Sequence, residues 1–416
     1  MKILVLENEP SSQRGGQEWS LLETCSGLAQ RGHEIHFVYR EDGDLLKSYQ
    51  EFCKSLTKVQ RYLVNNKGRR SDKLVSWIVW LGSILYTLKI SPDVIYVNQS
   101  KDTFFGGTIA QIQRIPLVCH LRLFPPKKFN PQIRSRLKSV TRFISVSEAT
   151  RVAYIRAGFD PKTIEVVYNG IDLERFTLKD DRNQTRLALG VPIKAFVVMY
   201  AGRIDRPKNV EMLLQAFAQL SMNAEQARLL IVGSPVVHPT PKAGDDYVQE
   251  LKNLCEHLNI SDSVSWLGRR MALPELFRAA DVSVLPSLLP DTFGRVIVES
   301  MACGTPALGL RFGGIPEVLA GEFERFQIEI GDVSGLANQL RSLRDWQQND
   351  LTLAQRCRAY AEERFSKEQS VAAIERVLQQ AVEIGAVQLG PSVEKLKAWE
   401  NEVSSNPEAL IGFVTQ

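Results

Sequence analysis

The sequence predicts an α/β protein made of two doubly wound parallel-sheet domains. Three observations lead there. At 416 residues the chain is too long for one ordinary core and fits two domains of typical size. Short apolar runs alternate with helical patterns through both halves, the signature of parallel sheets with crossover helices. A hydrophobic content of 44% beside 24% charged residues describes a globular chain, not a disordered or membrane-embedded one.

In the first half the expected strands are residues 3–6, 35–38, 94–97, 117–119, 143–146 and 165–167, each a short run that a sheet covered on both faces would bury. Helical patterns at 19–29 and 74–88 lie between them. The opening stretch has one Lys and soon reaches Glu7 and Asn8, so it reads as a buried strand instead of an export signal. The part of the 74–88 segment from Trp77 to Leu88 is strongly apolar but short for a membrane span, and is expected as a core helix. Asn169-Gly170-Ile171-Asp172 and the polar residues up to Gln184 read as a linker, which gives domains at 1–172 and 185–369. The second half repeats the alternation, with strands at 195–200, 229–232, 264–267, 282–285 and 307–310 and helices at 210–220, 247–258 and 273–279. Residues 347–350 and 404–408 are polar and read as loops.

The segment 281–317 concentrates the chemistry. Val282, Val284 and Leu285 form a strand that Pro286 stops, and an amphipathic pattern through Val296, Ile297 and Met301 starts a helix near Phe293 and Gly294. A helix start presents unpaired N–H groups and the positive end of its dipole, which suits a phosphate, and Gly294 lets a ligand approach closely. Asp291 just before the helix and Glu299 in its second turn repel phosphate but accept hydrogen bonds from neutral hydroxyls. A ligand with a diphosphate in the middle and sugars at both ends suits that arrangement. Gly304, Thr305 and Pro306 end the helix, and Gly313 to Glu317 make a second backbone-exposing turn. Strand, glycine loop and helix recur in every doubly wound protein, and a glycine pair alone is more often an ordinary turn.

A second anchor for an anion follows the first strand of the second half. There Gly202, Arg203 and Lys208 lie on a loop at the carboxyl end of the strand, where open α/β sheets bind ligands. Arg supplies a fork for two oxygens and Lys a mobile point charge. In the first half Gly15 and Gly16 occupy the first strand-to-helix loop, and His120 follows an apolar strand, a position that is commonly structural but can also hydrogen-bond a ligand.

These residues resemble the donor-site signature of the retaining glycosyltransferases of family 4. The paired acids, eight residues apart, fall on Asp291 and Glu299. The family's Phe-Gly falls on Phe293 and Gly294, its Met-Ala-Cys-Gly-Thr-Pro on Met301 to Pro306, its Gly-Gly-x-Pro-Glu on Gly313 to Glu317, and its Gly-Arg-x-x-x-x-Lys on Gly202, Arg203 and Lys208. It has three departures: the family usually has Glu at Asp291, Gly at Asn209, and an acid after the histidine where this chain has Leu121. The resemblance implies GT-B architecture, two Rossmann-like domains facing a central cleft, with the last helices, residues 370–416, returning to the first domain. It also implies transfer of a hexosyl group from a nucleotide-sugar donor, with retention, to a saccharide or lipid-linked acceptor. Arg203, Lys208, Asp291 and His120 would be the catalytic set; Gly15, Gly16, Gly202, Arg203, Lys208, Phe293, Gly294, Glu299 and Glu317 would hold the donor. A catalytically degenerate nucleotide-sugar-binding protein is the alternative.

No Asp-x-Asp sits in a suitable loop and the six cysteines show no metal-ligand spacing, so neither metal nor cofactor is expected and a reducing cytoplasm fits. An NAD oxidoreductase is disfavoured because no Gly-x-Gly-x-x-Gly follows the first strand. The net charge of +4 does not call for nucleic acid. It is uneven, though: between Asp102 and Glu148 there is no acid, while Arg114, Arg122, Lys127, Lys128, Arg134, Arg136, Lys138 and Arg142 all fall there. That stretch fits an anionic membrane surface, an acidic saccharide or a solvated face.

Overall fold

In the computed structural model the described residues are 1–65, 69–235 and 241–405. The chain forms two compact units, residues 1–170 with 367–416, and residues 171–366.

In the first unit seven parallel strands are β1 (Lys2–Glu7), β2 (Glu34–Tyr39), β3 (Ser55–Lys58), β4 (Val94–Val97), β5 (Leu117–Leu121), β6 (Arg142–Ser145) and β7 (Ile164–Val166), in the order β3-β2-β1-β4-β5-β6-β7. The order reverses between β1 and β4, the kind of switch point at which such sheets bind ligands. Helices cover both faces, which is why β4 and β5 are buried along their whole length. On one face Leu21, Leu28, Ile3 and Val5 meet Val371, Ile374 and Leu378 of the Lys367–Ile384 helix. Gly27 permits that contact, since a Cβ there would lie 2.7 Å from Val371. The other face adds Leu396, Trp399 and Val403 from the Val393–Ser405 helix. Residues 404 and 405, expected in a loop, close that helix; 406–408 lie outside the described residues.

The second unit has six parallel strands, β8 (Phe196–Ala201), β9 (Ala227–Val232), β10 (Val264–Gly268), β11 (Val282–Leu285), β12 (Ala307–Leu310) and β13 (Gln327–Ile328), ordered β10-β9-β8-β11-β12-β13. Its switch point lies between β8 and β11. β3 and β13 escaped the sequence reading because edge strands of four and two residues carry too little periodic signal.

Three expectations need correction. Residues 172–184 are not a free linker: Asp181 pairs with Arg278 at 2.5 Å, and Arg182 and the buried Arg186 both pair with Asp281, which also accepts from the Val197 amide at 2.7 Å. Buried charge this well partnered anchors the segment against β8 and β11. Residues 347–350 overlap a helical turn, Trp346–Asn349, which Trp346 buries. The apolar helix, Arg70–Thr87, is a core helix on one side only: Trp80 and Ile84 join the core, while Leu74, Ile78, Leu81 and Leu85 are all at least half exposed.

Candidate functional site

The second unit gathers its polar groups where β8 and β11 end. After β8 the chain passes Gly202 and Arg203, and Asp205 caps a short turn, Arg206–Lys208, by accepting from the Lys208 amide. Asn209 follows in the left-handed region at φ 53°, the conformation that the more usual Gly would adopt easily. After β11 the loop is tied to the same place, with the Leu288 amide donating to the Pro207 carbonyl at 2.9 Å.

Those two loops bring Lys208 and Asp291 together. Lys208 Nζ lies 2.9 Å from Asp291 Oδ2, while Asp291 Oδ1 accepts from the amides of Gly294 at 2.8 Å and Phe293 at 3.2 Å. Burial works against charge on Asp291, but the Lys208 ammonium and the two amides outweigh it and hold the carboxyl below its usual range. The helix spans Arg295–Ala302, two residues later than expected. Its approach is therefore not an open anion seat at Phe293 and Gly294, because the chain's own carboxylate takes both amides. Asp291 is short enough to fold back onto its own backbone, an Asx-type cap.

Gly313 and Gly314 lock this corner. Gly313 has φ 68°, and a Cβ there would stand 2.3 Å from the Asp291 carbonyl oxygen; one on Gly314 would stand 2.3 Å from that of Thr292. The Gly314 amide donates to the Asp291 carbonyl at 2.8 Å, so any side chain would force the Asp291 loop away.

The remaining expected residues are placed as follows. Arg203 lies half exposed beside Asp205 at 3.4 Å, on the same loop as Lys208 but outside the Asp291 cluster. Glu299 accepts from Arg295 Nε at 2.7 Å one helical turn away, and its side chain is 11% exposed, so a hydroxyl must compete with an existing partner. Glu317 is in the first turn of the Ile315–Val318 helix. The ring of Phe293 is buried edge-on against Phe365 and serves packing.

In the first unit Gly15 stands at the start of the Gly16–Gln30 helix with φ 137° and open space on its Cβ side, a conformation that side-chain-bearing residues avoid. His120 lies inside β5, fully buried. Its Nδ1 is 2.5 Å from the Tyr96 hydroxyl and its Nε2 has no hydrogen-bond partner among the described residues; the residue lines a small cavity with Thr24, Asn169 and Ser370. Burial first, then the nearby Arg122, push the imidazole well below its ordinary pKa. A neutral ring can exchange hydrogen bonds with a ligand but carries no charge to it.

Sequence reasoning missed the polar chain beside it. Asn98 donates to Glu7 at 2.6 Å, Arg122 Nε donates to Asn98 at 2.5 Å, and Arg122 donates to Asn169 at 2.7 Å. Glu7 closes β1, and Asn98 and Arg122 directly follow β4 and β5; a polar residue at the end of a buried strand was the available signal. Glu18 and Asp102 were missed as well. Burial, aided by Glu7, pushes Glu18 up to about 7, and burial pushes Asp102 up to about 8 against the pull of Lys101. Three cations of the basic stretch are taken up within the unit: Arg122 is buried in the polar chain, Arg134 pairs with Glu400 at 3.1 Å, and Arg136 donates to Gln111. Among the described residues no group of His, Cys, Asp and Glu could hold a metal ion.

Comparison with known proteins agrees with this geometry. Residues 14–175 match the model of "Glycosyltransferase Family 4" and residues 181–364 that of "Glycosyl transferases group 1". The chain is 32% identical to N-acetyl-alpha-D-glucosaminyl L-malate synthase of Bacillus anthracis over 84% of this chain and 90% of that one. It is 28% identical to D-inositol 3-phosphate glycosyltransferase 1 of Catenulispora acidiphila over 80% and 82%. Among solved structures HepE of Anabaena in complex with UDP superimposes with a TM-score of 0.76 at 26% identity, over 91% of this chain and all of that one; the same protein has been solved with UDP-glucose.

Proposed function

This chain belongs to the glycosyltransferases of family 4, a transferase using a nucleotide-sugar donor, and we propose that it moves a hexosyl group with retention of anomeric configuration to a saccharide, lipid-linked or other hydroxyl-bearing acceptor. The observation that carries the reading is the Lys208–Asp291 pair at the carboxyl edge of β8 and β11, set in the Gly202, Arg203, Lys208 and Gly313 to Glu317 motifs. UDP is the favoured nucleotide because HepE binds UDP and UDP-glucose.

Breaking the bond between the sugar carbon and the phosphate builds positive character on the sugar and negative charge on the departing diphosphate. Lys208 meets that charge, and Arg203, on the same loop and half exposed, adds a bidentate contact. Asp291 is a positioning residue in this scheme. It holds the ammonium in place before the donor arrives and is already neutralised, so it does not repel the diphosphate strongly. Glu299 takes a ribose hydroxyl, Glu317 a sugar hydroxyl, and neutral His120 hydrogen-bonds the transferred sugar. Gly15 and Gly16 leave room for phosphate or acceptor. The acceptor attacks on the face from which the diphosphate leaves, and a donor phosphate oxygen receives its proton. No metal ion is invoked, so EDTA should leave turnover unchanged.

The test is a mass-spectrometric screen of nucleotide sugars against the purified chain, reading release of the nucleotide, followed by NMR of the product's anomeric coupling. Release from one donor and an unchanged anomer are expected. Binding of a donor without release with any acceptor would instead identify a degenerate binding protein, and an inverted anomer would remove the retaining mechanism.

A further inference from the structure

We propose that the outward face of the Arg70–Thr87 helix seats this chain on an anionic lipid surface. The helix is apolar on its exposed side, unlike an ordinary surface helix. Ser76, Ser83 and Thr87 are buried, together with Trp80 and Ile84. Leu74, Ile78, Leu81 and Leu85, spaced three and four residues apart, are 50–62% exposed, and Val75, Trp77 and Tyr86 widen the stripe. The inward hydroxyls are satisfied locally: Ser83 donates to the Val79 carbonyl, Thr87 to the Ser83 carbonyl, and Ser76 accepts from the Asn65 amide at 2.7 Å. Hydroxyls satisfied on the inner side and a hydrocarbon stripe on the outer one are the arrangement of a helix with an apolar neighbour on its open side.

The charges around the stripe identify that neighbour. Arg69, Arg70 and Lys73 stand at its start and Lys89 just beyond its end, while the one acid, Asp72, is taken up by the Arg69 amide at 3.0 Å. A cationic frame around a hydrocarbon stripe complements an anionic bilayer. It opposes a second copy of the same helix, which would bring like charges together. Trp77 and Tyr86 have an apolar body and a polar edge, which suits the headgroup boundary. The helix lies flat there and does not span, because Trp80 stacks on Phe104 at 5.2 Å and donates to the Tyr62 carbonyl at 3.2 Å, fastening one side to the first unit.

A polar cavity next to the helix makes the same argument independently. It has a volume of about 330 Å³ and is lined by Arg40, Arg61, Lys101, Tyr62, Glu41 and Asp102, among others. Arg40 pairs with Glu41, but Arg61 and Lys101 form no ion pair among the described residues. The loop carrying Arg61 and Tyr62 is the one held beneath the helix by Trp80 and Ser76. An anionic headgroup therefore has a cationic recess beside the hydrocarbon-facing stripe.

Vesicle sedimentation tests this without any donor, so its result is separable from the glycosyl-transfer reading. The full chain should partition onto phosphatidylcholine vesicles containing phosphatidylglycerol roughly tenfold more strongly than onto phosphatidylcholine alone, with the difference shrinking at high salt. Ile78→Glu together with Leu85→Glu should lower that partitioning by about tenfold or more while leaving the circular dichroism spectrum unchanged, since both side chains already face water. Tryptophan emission should shift to the blue on binding, and Trp77→Phe should remove most of the shift. Equal partitioning onto both vesicle types, binding of the double variant like the wild type, or a dimer that the double variant dissolves without any vesicle binding would each overturn the proposal.

Discussion

At the carboxyl edge of the first sheet, Glu18 and Asp102 are buried without enough positive charge to match, and their carboxyls rise to about 7 and about 8. At the corresponding edge of the second sheet, Asp291 is held below the ordinary carboxylate range by Lys208 and two amides, and in the flanking segment the Arg278 guanidinium keeps Asp181 low. The two sheets share one winding, with the first strand central and the order reversing beside it. Topology therefore decides that polar groups collect at this edge. Whether they carry charge is decided by which cations the neighbouring loops bring. The first unit has groups that exchange protons near neutrality, whereas the second has fixed, compensated charge.

The sharpest way to break the comparison is to remove the compensating cation. Lys208→Ala should lower kcat by about a hundredfold or more, while the loss of a partly exposed pair should cost the fold less than about 1 kcal/mol. Single-turnover kinetics beside a thermal melt separates the two, and unchanged turnover would mean that the charge in the second unit serves folding only.

The protonation contrast comes next. Glu18 keeps its proton in the folded chain up to about pH 7, whereas the unfolded chain loses it near 4.5. Its contribution to stability is complete below 4.5 and is lost as pH rises through 7. Asp291 has the opposite sign: its contribution is present above the ordinary carboxylate range and is lost as pH falls through its depressed value. Glu18→Gln should therefore flatten the decline between pH 4.5 and 7 by roughly 2 kcal/mol, read from urea midpoints across that range. An unaltered pH slope would show that Glu18 is not the group responsible.

The smallest expected effect concerns Glu299. Because Arg295 already occupies one carboxylate oxygen, Glu299→Gln should weaken nucleotide binding by only several-fold, about 1 kcal/mol by calorimetry. An unchanged dissociation constant would take the ribose contact away from this residue.

Much of the second unit's corner was legible because its constraints are local. Proline stops β11, glycines at 313 and 314 permit a close backbone approach, and Asn209 tolerates the left-handed turn. The ion pair of Asp291 was not legible, since its partner Lys208 is eighty-three residues away in sequence. His120 was found by its motif, but its burial against Tyr96 comes from β4 and β5 lying side by side.

The sequence by itself determined the alternation of strands and helices, the two-sheet fold class and the residues gathered at the second sheet's carboxyl edge, because periodicity and backbone-permissive residues act over short distances. Only the tertiary structure decided which apolar surfaces are covered and which charges are matched. The Arg70–Thr87 helix has the composition of a core helix, yet its leucines face outward, because neighbours that meet only after folding choose the side that is buried. The same holds for Arg182, whose segment reads as a linker until Asp281 supplies the buried partner.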